Sequence, residues 1–220
     1  MSNMLPYTTG IRLKDYNELP PHLTYQQYQS MLNVIDYKGE MGSFFKNRDK
    51  LILHLLWETG GRAGDIANLK MVDFDLNYKH LKMFVKKRKK YITLPISQDL
   101  IVSYLSYLSE RNKMEEKFKK DVLFDLTYQR LWQIVVQWAN KAGLNFNRSF
   151  NYRGRVITTT HIHPHMFRHG LAIHLLEKGV PIPVISARLG HSSIHTTMQY
   201  YLVITPEVQR AIITDDKLKD

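Results

Sequence analysis

The sequence predicts a mainly α-helical domain carrying a small antiparallel β-sheet, an α+β arrangement. Three observations predict it. Apolar residues recur at three- and four-residue spacing through most of the chain, between N-cap hydroxyls and closing glycines. Alternation at period two occurs in one place only, two neighbouring stretches between residues 81 and 96. An apolar share of 44% over 220 residues supplies core for one domain of ordinary size and argues against disorder.

Residues 1–21 read as an extended lead-in, punctuated by Pro6, Gly10, Pro20 and Pro21 and without periodicity. Thr24 then caps a helix with Tyr25, Tyr28, Leu32 and Ile35 on it. A more apolar helix runs from Phe44 to Thr59, with Leu51, Leu55 and Leu56 at core spacing, and Gly60-Gly61 ends it. Gly64-Asp65 opens a short helix with Ile66 and Leu69 inward. Leu81, Met83 and Val85, then Ile92, Leu94 and Ile96, alternate with polar residues. The basic run Lys86-Lys87-Arg88-Lys89-Lys90 between them fits the tip of a hairpin.

Helices resume over Asp99–Glu110, with Leu100, Tyr104, Leu105 and Leu108, and over Thr127–Ala142. In the second, Thr127 is the N-cap, Leu131, Val135 and Trp138 face inward, and Gly143 closes it. Residues 145–160 are polar and basic (Arg148, Arg153, Arg155) and read as a loop or irregular strand. Pro164 opens a helix that Gly179 closes, and Pro183 opens one that Gly190 closes. A last helix holds Thr196 to Tyr201, and Pro206–Ile213 forms a short tail helix.

Thirty-one Lys+Arg against twenty Asp+Glu give a net charge of +11. That excess suits a polyanionic partner through phosphate neutralisation and counterion release. No cysteine means no disulfide and no thiolate chemistry. The N-terminus lacks a charged-then-apolar signal pattern, and no run approaches the roughly 18 apolar residues of a membrane span. The expectation is a soluble cytoplasmic protein without membrane association, at the nucleoid or in a host cytoplasm.

The motifs sharpen this. Thr59-Gly60-Gly61-Arg62 is followed by Asp65, three residues after the arginine. Far downstream come Pro164-His165-Met166-Phe167-Arg168-His169-Gly170 and Leu189-Gly190-His191-Ser192-Ser193, with Tyr200 nine residues after His191. Two arginines, two histidines and a tyrosine in this order and spacing resemble the tyrosine recombinases, the family of phage integrases and Xer-type recombinases. The resemblance covers about residues 22–205 and implies that they form a catalytic domain of that fold.

That family cleaves and rejoins DNA by attack of a tyrosine on a phosphodiester, through a 3′-phosphotyrosine intermediate. A crowded, doubly charged phosphorane is best stabilised by fixed guanidinium donors that bind two oxygens at once. Arg62 and Arg168 are the candidates, with Asp65 orienting Arg62. The resemblance makes His165 the general base, His191 a donor to the phosphate and Tyr200 the nucleophile. Tyr201 follows directly, but the next residue on a helix points about 100° away, so both cannot occupy one site. Register favours Tyr200.

In the family a hairpin lysine protonates the leaving 5′ oxygen, eight residues before the proline of a Val-Pro-Leu-like strand. Counting back from Pro95 gives Lys87. Lys86, Arg88, Lys89 and Lys90, with Arg153 and Arg155, are the DNA-binding candidates. No cofactor or metal is implied. The partners implied are double-stranded DNA, a homotetramer assembled on it, and an accessory DNA-binding protein. The last enters because family members carry a helical core-binding domain ahead of the catalytic one. Here only about 20 residues precede the first helix, which leaves a minimal enzyme, a fragment, or reliance on another protein open. Residues 206–220 form a tail whose apolar helix could dock on a neighbouring copy or fold back on its own domain.

Other readings compete. His161, His163, His165 and His169 are crowded enough to suggest a metal nuclease, though no cysteine or nearby carboxylate completes the set. Pro183–Gly190, a turn and Ser193–Tyr201 can be read as the helix-turn-helix of a non-catalytic DNA-binding regulator. That alternative leaves the spacings of Arg62, His165 and Arg168 unexplained. A type IB topoisomerase uses similar residues to relax DNA.

Overall fold

The computed structural model describes residues 21–114, 121–144, 148–152, 155–159, 162–191 and Thr197, with backbone alone for 148–152 and 155–159. The described residues form seven helices: α1 (Tyr25–Asn33), α2 (Gly42–Thr59), α3 (Ala63–Ala67), α4 (Gln98–Asn112), α5 (Tyr128–Lys141), α6 (Pro164–Glu177) and α7 (Ile182–Leu189). Strands β1 (Phe74–Asp75), β2 (His80–Val85) and β3 (Lys90–Pro95) make a three-stranded antiparallel sheet in that order. Strands β4 (Arg148–Tyr152) and β5 (Arg155–Thr159) form a separate antiparallel pair. A mainly α domain with small antiparallel sheets is therefore what the chain folds into.

Local chemistry sets the helix ends. Thr24 accepts the Gln27 amide at 3.2 Å while the Gln27 side chain accepts the Thr24 amide at 2.9 Å, a reciprocal pair that satisfies two orphan donors of α1. Thr127 caps α5 by accepting the Arg130 amide at 3.2 Å. At the far end of α2, Gly60 adopts the left-handed conformation at φ 58° and returns its amide to Leu56 at 3.1 Å.

α2 lies at the centre of the core. Leu51, Ile52, Leu53, Leu55 and Leu56 are all fully buried, because the helix packs on α1, α4, α5 and α6 at once. Two charged residues, Arg48 and Asp49, are buried on the same helix. Asp49 Oδ2 accepts the Tyr37 hydroxyl and the Trp138 indole N–H, each at 2.7 Å, and Oδ1 accepts Arg48 Nε at 2.8 Å. These donors stabilise a carboxylate that would otherwise be costly to bury. They also fix α5 and the segment after α1 onto α2.

The hairpin follows the sequence pattern: Leu81, Met83 and Val85 are buried on one face, opposite Leu94 and half-buried Ile92. Val85 pairs with Lys90, which leaves residues 86–89 as the connection. The basic run is thus the hairpin tip, with Lys90 already in β3.

Several details depart from the sequence reading. β1 is only two residues long, too short to show a period. α4 begins one residue earlier than expected, capped by Ser97, which accepts the Leu100 amide at 3.1 Å. Leu105 on α4 is 47% exposed and Tyr107 is fully buried, its hydroxyl donating to the Leu123 carbonyl at 3.0 Å. A large residue with a hydrogen-bond partner takes the inward position that residue type alone assigned to leucine. Residues 148–152 and 155–159 form the regular β4–β5 pair instead of an irregular segment. The expected helix from Thr196 to Tyr201 lies outside the described residues except for Thr197, and the 206–220 tail lies wholly outside them. No described helix is long and apolar enough to cross a membrane.

Candidate functional site

Arg62 is positioned by the abrupt end of α2. After left-handed Gly60, the chain passes through Gly61 and reaches Arg62, the extended N-cap of α3 (φ −74°, ψ 149°). A Cβ at Gly61 would stand 2.8 Å from Ile66 Cδ1 and 2.9 Å from Thr59 Oγ1, so the turn is closed to larger residues. Arg62 Nη1 is buried and has no hydrogen-bond partner among the described residues. Its charge partner is Asp65, whose Oδ2 lies 3.8 Å away. The Asp65 Oδ1 accepts the Lys86 amide at 3.1 Å, which ties the hairpin tip to α3.

α6 supplies the next groups. Pro164 starts it, and His165 and Arg168 follow on the first two turns. His165 keeps an exposed edge, while Arg168 is 6% exposed. Arg168 Nη1 donates to the Gly60 carbonyl at 2.7 Å and Nη2 to the Leu189 carbonyl at 2.6 Å. This one guanidinium joins the ends of α2 and α7 to α6. Burial, then the charges of Arg168 and Arg62, holds the His165 imidazole below the ordinary histidine range. It is accordingly neutral at pH 7 and carries an acceptor nitrogen.

α7 delivers His191. Gly190 closes the helix at φ 63°, and the His191 amide donates to the Ser186 carbonyl at 3.0 Å. Nδ1 and Thr197 Oγ1 are in hydrogen-bond contact at 2.8 Å, and Thr197 is fully buried. Burial first, then Arg168 and Arg62, pushes the imidazole down to about 3.

A cleft of about 520 Å³ opens beside Arg62 and His165, lined also by Lys86, Lys87, Tyr128 and Trp132 among others. Its cations outnumber the carboxylate of Asp65, so it suits an anion. Within this set, Arg62, Asp65, Lys86, Lys87 and His165 share the cleft; Arg168 and His191 are not among its lining residues, though the charge of Arg168 acts on both His165 and His191. Lys89 and Lys90 are exposed on the hairpin. Arg88 is half-buried, and its Nη1 donates to the His191 carbonyl at 2.9 Å. Tyr200, Tyr201 and Arg153 lie outside the described residues, as does the side chain of Arg155.

Of the histidine cluster, His161 lies outside the described residues. The His163 and His165 rings are 6.3 Å apart and those of His165 and His169 6.4 Å. His169 Nδ1 lies 3.0 Å from the Pro21 carbonyl and so donates to it. No group of three or more potential metal ligands occurs among the described residues.

Sequence reading did not single out Tyr128 and Trp132. They stand one helical turn apart on α5, beside the buried stripe of Leu131, Val135 and Trp138. An aromatic pair at i, i+4 beside an inward stripe was the signal available.

Comparisons with known proteins identify the family. The family model described as the phage integrase family matches residues 21–206. The chain is 30% identical over 200 residues to the tyrosine recombinase XerA of Pyrococcus furiosus, covering 88% of this chain and 61% of that protein. It is 29% identical over 201 residues to the tyrosine recombinase XerD of Staphylococcus haemolyticus, with 88% and 61% covered. The chain thus spans about three-fifths of the length of these curated relatives. A crystal structure of XerA recombinase shares the fold at a TM-score of 0.70 and 22% identity, covering 91% of this chain and 66% of that one. The XerH site-specific recombinase bound to its difH substrate, a pre-cleavage complex, matches at a TM-score of 0.64 and 28% identity, with 83% and 51% covered. With the motif spacing and the geometry of the cleft, these matches establish that the chain belongs to the phage integrase family.

Proposed function

We propose that the chain is a site-specific DNA recombinase that breaks and rejoins strands through Tyr200. The observation that supports it is the convergence of Arg62, Lys86, Lys87 and His165 on one cleft, with Arg168 close enough to His165 and His191 to depress both imidazoles. The XerH protein, 28% identical and captured on its difH substrate, supports DNA as the substrate class.

In the proposed reaction the Tyr200 oxygen attacks the phosphorus of a DNA phosphodiester. The bond from phosphorus to the 5′ oxygen breaks, leaving a 3′-phosphotyrosine and a 5′-hydroxyl. A phenol with an ordinary pKa near 10 must lose its proton at attack. His165, neutral beside two guanidinium groups, is the acceptor for it. Arg62 and Arg168 hold the equatorial oxygens as charge develops, and His191 donates from its remaining ring nitrogen. Lys87 protonates the departing 5′ oxygen. The 5′-hydroxyl of a partner strand reverses the step, so the phosphodiester energy is conserved and neither nucleotide nor metal is required. Lys86, Lys89, Lys90, Arg153 and Arg155 are proposed to contact the DNA backbone. Residues 22–205 act as the catalytic domain, working as a homotetramer on duplex DNA.

The test uses nicked suicide duplexes drawn from a randomised-sequence pool, in which the cleaved strand loses a short fragment and cannot be resealed. A covalent protein–DNA complex that survives denaturation is the expected result. Binding without any covalent product would favour a non-catalytic DNA-binding role.

A further inference from the structure

We propose that Arg88 is a positioning residue for His191, fixing its main chain against the hairpin tip instead of gripping DNA; the inference rests on the strand-transfer reading above. Arg88 is the middle member of a run of five basic residues. Lys86, Lys87, Lys89 and Lys90 are exposed, and Arg88 alone in the run is half-buried. Its guanidinium donates to the His191 carbonyl at 2.9 Å, a bond spanning 103 residues of sequence.

The geometry of the tip explains why this residue turns inward. Residues Lys86–Arg88 form one 3₁₀ turn, and Lys89 takes the left-handed conformation at φ 48° to lead the chain into β3. At about three residues per turn, neighbouring side chains diverge by roughly 120°. Lys86 and Lys87 therefore line the cleft while Arg88 is directed at the end of α7. The Lys89 amide closes the turn onto the Lys86 carbonyl at 3.2 Å, and the Lys86 amide is held by Asp65 at 3.1 Å.

His191 is gripped at three points. Its amide donates to Ser186, its Nδ1 meets Thr197, and its carbonyl receives Arg88. The first two fix the helix end and the ring. Only the third ties the residue to the hairpin that carries Lys87. Gly190, with φ 63°, stands immediately before it, so the His191 peptide follows a backbone position with few steric limits. A planar donor suits this task, because its fork is pre-organised. Asp65, the tip and Arg88 thereby form one line of bonds from the Arg62 side of the cleft to His191, which aligns Lys87 and His191 together.

The test measures single-turnover cleavage of pre-bound suicide DNA by Arg88→Ala, in the parent protein and in a His191→Ala background, with Arg88→Gln as the second variant should the alanine protein fail to fold. Cleavage should slow about tenfold in the parent and less than about twofold when His191 is already gone, since two residues acting through one step are not additive. DNA affinity and its salt slope should stay unchanged, whereas a lost phosphate contact lowers that slope by about one. An equal slowing in both backgrounds, or a slope reduced by about one with normal cleavage of bound DNA, overturns the proposal. NMR of the DNA-free protein separates this from failure of the recombinase reading. In Arg88→Ala the His191 imidazole signals should shift and broaden while those of His54, which pairs with Tyr28, stay in place. Unchanged His191 signals would refute the positioning role whether or not any protein cleaves DNA.

Discussion

Asp65 holds Lys86 by its main chain: Oδ1 accepts the Lys86 amide at 3.1 Å, while Oδ2 faces Arg62 Nη1 at 3.8 Å. The first contact is a hydrogen bond and fixes the hairpin. The second is too long for one and acts by charge. A single carboxylate thus orients an arginine of the cleft and anchors the strand connection that carries Lys87.

Replacement by asparagine separates the two effects, since an amide oxygen can still accept the Lys86 N–H but carries no charge toward Arg62. Asp65→Asn should slow single-turnover cleavage about tenfold and Asp65→Ala about a hundredfold, a loss on the scale of one preorganised donor. Equal rates for the two variants would show that the hairpin anchor contributes nothing.

The two arginines should differ in stability although both are proposed to act in cleavage. Arg62→Ala and Arg168→Ala should each slow cleavage at least about a hundredfold. Arg168 also satisfies the carbonyls of Gly60 and Leu189, so its loss should cost about 2–4 kcal/mol in urea unfolding. Arg62, whose Nη1 has no hydrogen-bond partner among the described residues, should cost less than about 1 kcal/mol. A stable Arg168→Ala protein would contradict the bonding described here.

This contrast bears on what sequence reveals. The caps at Thr24 and Thr127, the left-handed Gly60 and the alternation of Leu81, Met83 and Val85 were legible because each is a local rule with a residue signature. The joining of Arg62, Lys87 and His165 in one cleft is what the family resemblance implies, whereas the burial and guanidinium charges that keep His165 neutral were not legible. Tertiary choices were not legible. Leu105 and Tyr107 are both large and apolar, and only packing against Leu123 decides which turns inward. Arg88 sits in a run of five cations, and nothing local marks it as the one whose partner lies 103 residues away. Arg168 looked like a pure ligand clamp, yet two of its donors also tie helix ends together.

Stability should fall on acidification. Burial first of all holds His54 and His169 at about 4, well below the ordinary value of 6.5. Both are neutral when folded and gain protons when unfolded, so the unfolded state binds more protons between those limits. The stabilisation is full above about pH 6.5 and is lost as pH falls toward 4, by at most about 1.4 kcal/mol per pH unit for each histidine. Urea midpoints at pH 7.5, 6.0 and 5.0 should decline in that order. A midpoint that is flat or rises toward pH 5 would contradict the burial of these rings.

The lysine assignment can be checked by changing the leaving group. A bridging 5′-phosphorothiolate releases a sulfur that needs no proton. Lys87→Ala should be slow on ordinary DNA and largely restored on this substrate. Lys86→Ala, Lys89→Ala and Lys90→Ala should instead weaken binding and flatten its salt dependence. Restoration for Lys86→Ala and not for Lys87→Ala would move the acid by one residue.

The proposed covalent role of Tyr200 is tested most directly by mass-spectrometric mapping of the residue joined to DNA after suicide cleavage. The phosphodiester should be attached to Tyr200. Tyr200→Phe should form no adduct while retaining DNA affinity within about threefold, since only a hydroxyl is removed. An adduct that persists in Tyr200→Phe and disappears in Tyr201→Phe, or DNA joined to any other side chain, would contradict that role.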